Sequence, residues 1–299
     1  MKQLERMLMA IQSQFPRSAH FIRLARLDKP IGIYLLLWPT LGALWIAAGG
    51  WPGWHLLLVF ILGTVLTRSA GCVMNDIADR NFDGRVRRTM DRPIAHGDID
   101  VSEAVIFMGV LCFLALLLVL STNLVTLLLA AAGALVAAIY PYMKRYTYMP
   151  QAILGIAFSF GIPMAFTAVS NEVTKVTGLL FIANMIWAVA YDSEYAMVDR
   201  DDDVKLGLKS SAILFGDMDR LIIGALQLCF LFAQYLIWKI AELHWPFLVG
   251  ILLAGGLFGF QQFLIRKRER EGCFSAFLNN HWLGLVIFVS ITVDLFLYP

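Results

Sequence analysis

The chain has 299 residues, 59% of them hydrophobic and only 15% charged, with a mean hydropathy of +0.71. A soluble domain carries about a quarter of charged residues, so a water-soluble globular fold is excluded. The formal net charge of +2 says little by itself, and no nucleic-acid partner is expected.

Residues 1–29 carry charges throughout and lack the apolar core of a cleavable signal. They are expected to form a cytoplasmic or interfacial segment, with Met7 to Leu27, broken by Pro16, lying as an amphipathic helix in the membrane interface. Residues 30–299 then form a single transmembrane domain. Apolar runs follow near 31–49, 55–74, 103–120, 123–140, 149–170, 176–192, 221–240, 245–264 and 281–298. Each is about the 17–25 residues that cross a bilayer as a helix. The expected fold is therefore all-α, a polytopic membrane protein with nine transmembrane helices. Cys72, Cys112, Cys229 and Cys273 sit in or beside these runs without metal-ligand spacing and read as small core hydrophobes.

Between the runs the charge is one-sided. Placing the N-terminus in the cytoplasm puts 21 of the 24 Lys and Arg residues on that face, leaving Lys175 in an opposite loop and Arg68 and Lys239 near run ends. This is the asymmetry that the positive-inside rule requires, and it predicts an external C-terminus. The long connections, residues 75–102 and 193–220, lie on the cytoplasmic side, whereas a turn such as Ser121-Thr122 on the other side is barely two residues. A site is therefore expected at the cytoplasmic face.

Both long connections are acidic. The first contains Asn75, Asp79 and Asp83 at i, i+4 and i+8, one face of a helix; the second contains Asp199 and Asp203 in the same spacing, with Asp192 two turns earlier. The offset of 120 residues aligns Asp79 with Asp199, Arg80 with Arg200 and Asp83 with Asp203, and suggests two four-helix repeats followed by a ninth helix. Repelling carboxylates at a membrane surface are costly unless something binds them. Hard oxygen ligands suit Mg²⁺ shared with a polyphosphate, which makes Asn75, Asp79, Asp83, Asp199 and Asp203 candidate metal ligands and the four aspartates candidate catalytic groups. Asp201 and Asp202 point elsewhere on a helix. Cations should complete a diphosphate cradle: Lys144 and Arg145 first, because their short loop falls between the acidic segments, then Arg26, Arg88 and Lys209, with Arg85 also available.

The segments Asn75-Asp76-Ile77-Ala78-Asp79-Arg80-Asn81-Phe82-Asp83 and Tyr191-Asp192-Ser193-Glu194-Tyr195-Ala196-Met197-Val198-Asp199-Arg200-Asp201-Asp202-Asp203 resemble the two motifs of the UbiA superfamily of intramembrane aromatic prenyltransferases. Asp28-Lys29-Pro30-Ile31-Gly32, Leu37-Trp38-Pro39-Thr40, Ala70-Gly71-Cys72-Val73 and Arg92-Pro93 narrow the resemblance to the branch that acts on 4-hydroxybenzoate. The resemblance runs from about Arg23 to the C-terminus. It implies nine helices around a central cavity, Mg²⁺, a polyprenyl diphosphate donor and 4-hydroxybenzoate as acceptor, in ubiquinone synthesis at a bacterial inner membrane. Related enzymes acting on homogentisate, a naphthoate or haem share the metal motifs and remain an alternative. A secondary transporter would place its carboxylates near the bilayer midplane. Asp83-Gly84 is superficially similar to the acidic motif of CDP-alcohol phosphotransferases, but Val86-Arg87-Arg88 stands where that motif has Ala-Arg.

Overall fold

The computed structural model describes residues 17–84 and 89–299. Among them every regular element is helical. A short helix α1 (Ser18–Leu24) leads into α2 (Ile31–Ala48) and α3 (Trp54–Asp83). Then come a single turn α4 (Pro93–His96), α5 (Val101–Val119), α6 (Leu124–Met143), α7 (Pro150–Ser159), α8 (Gly161–Ser170) and α9 (Lys175–Leu206). A short α10 (Ser211–Phe215) precedes α11 (Asp219–Ile240), α12 (Trp245–Leu264) and α13 (Arg270–Leu297).

Among the described residues nine spans are long and apolar enough to cross a membrane, with α7 and α8 forming one and α10 and α11 another. The break between α7 and α8 has a local cause. Pro163 has no N–H to give the carbonyl of Ser159, and α7 stops at that residue. The part of the expected N-terminal helix from Met7 to Pro16 lies outside the described residues; the remainder is α1.

The spans close into a ring. Neighbours in contact run α2, α3, α6, α7–α8, α9, α11, α12, α13 and back to α2, while α5 leans on the outside of α3. Of α5 only Ala104 and Val119 are buried, as expected of a helix that faces lipid. The principal core, including Leu44, Trp45, Trp187, Phe230, Phe247 and Leu283, joins α2, α9, α11, α12 and α13. Small residues let helices approach where lipid offers no hydrophobic drive. A Cβ on Gly155 of α7 would sit 2.9 Å from the Met185 carbonyl oxygen of α9.

Three details differ from the sequence expectation. The acidic segments continue the spans without a break: α3 runs nine residues past the apolar run that ends at residue 74, to Asp83, and α9 runs past residue 192 to Leu206. The backbone hydrogen bonds of a helix persist beyond the apolar run when its polar side chains find partners, and here they do. Likewise α13 begins at Arg270, before the apolar run at 281. Cys72 and Cys273 are buried as expected, but Cys112 and Cys229 face outward from the bundle, where an apolar thiol fits equally well against lipid.

Candidate functional site

A cleft of about 140 Å³ opens at the end of the bundle where α3 and α9 finish. Asn75, Asp79 and Asp83 of α3 line one wall, and Asp192, Asp199 and Asp203 of α9 line another. The helical spacing that the sequence suggested is thus realised: residues four apart along each helix look into one space. Tyr140 of α6, Gln151 of α7 and Tyr195 of α9 complete the walls, with Lys144, Lys209 and Ser210 from the connecting turns.

The first wall is fixed by ion pairs. Asp76, only 1% exposed, receives Arg26 Nη2 at 2.9 and 2.8 Å and Arg92 Nη1 at 2.9 Å. Arg92 also donates to Asp83 Oδ2 at 2.9 Å, and the Thr89 hydroxyl donates to the Asp83 carbonyl at 2.9 Å. These bonds offset the cost of carrying Asp76, Asp79 and Asp83 on one helix end. Asp79, also 1% exposed, takes an ion pair from Lys144 Nζ on Oδ2. Its Oδ1 is buried and has no hydrogen-bond partner among the described residues.

The second wall is closed by a reversal of the chain. Gly207 ends α9 in the left-handed region (φ +67°), and the N–H of Leu208 bonds back to the Asp203 carbonyl at 2.9 Å. The turn then crosses to the end of α6: the Lys209 N–H donates to the Lys144 carbonyl at 2.9 Å, and Lys209 Nζ to the Tyr146 carbonyl at 3.1 Å. Gln151 Oε1 accepts from the Ser211 N–H at 3.2 Å. The two lysines are thereby held side by side, one at the end of α6 and one in the turn after α9, between the acidic walls.

Not every expected cation reaches the cleft. Arg26 is committed to Asp76, and Arg145 donates to the Ala78 carbonyl at 2.8 Å with its guanidinium over the rings of Phe82 and Tyr142. Both brace the outside of the α3 wall and neither lines the cleft. Adjacent residues on a helix end point about 100° apart, so Lys144 and Arg145 could not both face inward. Arg88 and Arg85 lie outside the described residues. Arg92 and Tyr140 line the site without having been assigned a role from sequence. Arg92 carried a signal, since an Arg-Pro pair after an acidic helix marks the start of a new turn; Tyr140, within an apolar run, carried none.

Arg68 was expected near a run end. Because α3 extends to Asp83, it lies instead near the middle of that helix. Its guanidinium lies against Gly32 and 5.5 Å from the Phe158 ring centre, and Nη1 donates to Cys72 Sγ at 3.1 Å. Nε is buried without a partner, and no carboxylate pairs with Arg68 among the described residues. Tyr140 and Tyr195, which line the cleft, are within its electrostatic reach.

Among the described residues no three acidic, histidine or cysteine side chains converge into a preformed metal cage. The donor set still fits Mg²⁺. Asp79 Oδ1 is a buried carboxylate oxygen without a hydrogen-bond partner among the described residues, and Mg²⁺ ordinarily takes one or two carboxylates and completes its shell with water and phosphate.

Comparison with known proteins gives a consistent result. The profile of the UbiA prenyltransferase family matches residues 36–286. The 4-hydroxybenzoate octaprenyltransferase of Saccharophagus degradans is 54% identical over 274 residues, 92% of each chain. That of Pseudomonas fluorescens SBW25 is 52% identical over 290 residues, 97% of this chain and 98% of the relative. Among solved structures, the apo form of a UbiA homolog from Aeropyrum pernix K1 superposes with a TM-score of 0.77 at 23% identity, covering 88% of this chain and 97% of the other. A UbiA homolog from Archaeoglobus fulgidus bound to GPP and Mg²⁺ superposes with a TM-score of 0.69 at 17% identity, covering 91% and 99%.

Proposed function

We propose a reaction for this chain from one premise: it belongs to the UbiA prenyltransferase family. It transfers a polyprenyl group from a polyprenyl diphosphate to the ring carbon ortho to the hydroxyl of 4-hydroxybenzoate, a step of ubiquinone synthesis. Relatives at 52–54% identity over more than nine-tenths of the chain carry that acceptor in their names, which favours it over homogentisate, a naphthoate or haem. The observation that carries the chemistry is the single cleft that collects both acidic rows and the two lysines between them.

In this reading Asn75, Asp79, Asp83, Asp199 and Asp203 hold Mg²⁺, and Lys144 and Lys209 face the donor's diphosphate. Bound there, Mg²⁺ supplies charge neutralisation to the departing diphosphate. Lys144 is poised to exchange Asp79 for a phosphate oxygen, since its ammonium already lies at the cleft wall. The C–O bond to the allylic carbon breaks with both electrons leaving on diphosphate, and the cation forms beside the rings of Tyr140 and Tyr195. The phenol ring attacks through its ortho carbon, forming the new C–C bond, and loss of the ring proton restores aromaticity. Arg68 is the acceptor's anchor: a buried cation at bilayer depth, with no carboxylate paired to it among the described residues, calls for an anion, and the benzoate carboxylate is one.

The cleft end of the bundle also carries Arg26, Arg92, Lys144, Arg145, Lys209 and Arg268, which supports a site facing the cytoplasm from a bacterial inner membrane. The two long helices that end on the cleft, α3 of 30 residues and α9 of 32, support the reading of two repeats. An acceptor competition tests the assignment. Purified protein supplied with polyprenyl diphosphate, Mg²⁺ and equal amounts of 4-hydroxybenzoate, homogentisate and a dihydroxynaphthoate should prenylate the first at least tenfold faster. Preference for either other acceptor would replace 4-hydroxybenzoate with it.

A further inference from the structure

The middle of the second acidic segment, Arg200-Asp201-Asp202, is turned away from the cleft and gripped from behind. Asp219, at the start of α11, is fully buried. It accepts from Arg268 Nε at 2.9 and 3.0 Å, from Arg268 Nη2 at 2.8 Å, from Arg200 Nη1 at 3.3 Å and from the Arg220 N–H at 2.6 Å. Arg268 lies in the turn between α12 and α13, in a left-handed conformation (φ +57°), and its Nη2 also donates to the Asp217 carbonyl at 2.7 Å. Two residues on, Arg270 reaches Asp202 at 3.0 Å and Asp201 at 3.5 Å. Two separate segments, the start of α11 and the α12–α13 turn, thus meet on the back of the last turns of α9.

The interleaving matters. Asp199 and Asp203 look into the cleft, and the three residues between them are bound on the other side. A helix end held at intervening positions has its rotation fixed, and with it the direction of both inward carboxylates. A buried carboxylate with several charged donors is also hard to replace, because its loss leaves those charges unpaired.

We propose that Asp219 is a positioning residue: through Arg200 and Arg268 it sets the rotation of the α9 terminus and so the placement of Asp199 and Asp203. This rests on the reading of those two aspartates as ligands for the metal and diphosphate. A misplacement of about 1 Å can reduce a rate by about 100-fold, so a small rotation is enough to matter.

The experiment uses the full chain in detergent with Mn²⁺ as the probe, its binding followed by electron paramagnetic resonance alongside turnover. Asp219→Asn should weaken Mn²⁺ binding about tenfold and raise the KM for polyprenyl diphosphate by a similar factor, leaving the KM for 4-hydroxybenzoate unchanged. The reversed pair Asp219→Arg with Arg268→Asp should recover part of the Mn²⁺ affinity that either single change loses. A purely structural role would reduce the yield of folded protein without moving the Mn²⁺ affinity of the molecules that fold, and that result overturns the proposal. If Asp219→Asn does not fold, Arg200→Gln keeps the Asp219–Arg268 pair and should show a smaller shift in the same direction; no shift overturns the proposal equally. Asp199→Asn separates the two levels. If it leaves Mn²⁺ binding intact, the ligand reading itself fails; if it abolishes binding while Asp219→Asn does not, only the positioning role fails.

Discussion

Arg68 concentrates the problem of keeping charge inside a membrane protein. Its guanidinium donates to a thiol and has a buried, unpartnered Nε, an expensive arrangement unless an anion arrives. Arg68→Gln keeps much of the side chain's size but removes the charge. The KM for 4-hydroxybenzoate should rise about 10- to 100-fold, matching a hydrogen bond to a charged group worth about 1.5–3 kcal/mol, while the KM for polyprenyl diphosphate stays put. Equal changes in both constants would remove Arg68 from the acceptor site. At this scale the sequence was legible where spacing carried meaning. Asn75, Asp79, Asp83, Asp199 and Asp203 all line the cleft, as their four-residue intervals implied. Cations were less legible: Arg26 and Arg145 have the right charge in the right region but are spent on Asp76 and on the Ala78 carbonyl. Charge and order along the chain do not say which way a long side chain turns.

Helices α3 and α9 are each a membrane span with a polar extension. Hydropathy ends a span where polar residues begin, so it could not foresee that α3 runs on to Asp83 through ion pairs with Arg26 and Arg92. The i, i+4 spacing of the acidic residues, by contrast, did point to helical backbone at both segments. The packing of α7 against α9 shows how such an extension is aimed. Gly155 allows the backbone of α9 to approach, and Pro150 and Gln151 on the same helix line the cleft. A Val at Gly155 would place Cβ 2.9 Å from the Met185 carbonyl and 3.4 Å from Ala188 Cβ, neither able to move without shifting α9. Overpacking of this kind costs about 1–3 kcal/mol. Gly155→Val should lower the midpoint of thermal unfolding in detergent and reduce turnover together; an unchanged midpoint would mean that the two helices are less tightly coupled than their spacing suggests.

The whole molecule is a ring of spans with its polar chemistry gathered at one end. That plan was the most legible part of the sequence, because nine apolar runs and a one-sided distribution of Lys and Arg are properties of the entire chain. The ring order was not legible, since it depends on which faces pack and on glycines such as Gly155. Nor was the grip of Asp219, Arg268 and Arg270 on α9, which joins residues up to 69 positions apart. The central claim is that two acidic walls of one cleft hold Mg²⁺ and a prenyl diphosphate for transfer to 4-hydroxybenzoate. The most direct measurement is the formation of lipid-soluble product from radiolabelled 4-hydroxybenzoate and polyprenyl diphosphate by the purified chain in proteoliposomes. The wild type is compared with Asp79→Asn and Asp199→Asn, each confirmed as folded by its elution in detergent. Product should form with Mg²⁺, disappear with EDTA, and fall by about 100-fold or more in either variant, the scale of losing one preorganised charge-stabilising group. Product that persists in EDTA, or near-normal turnover in either variant, would contradict it.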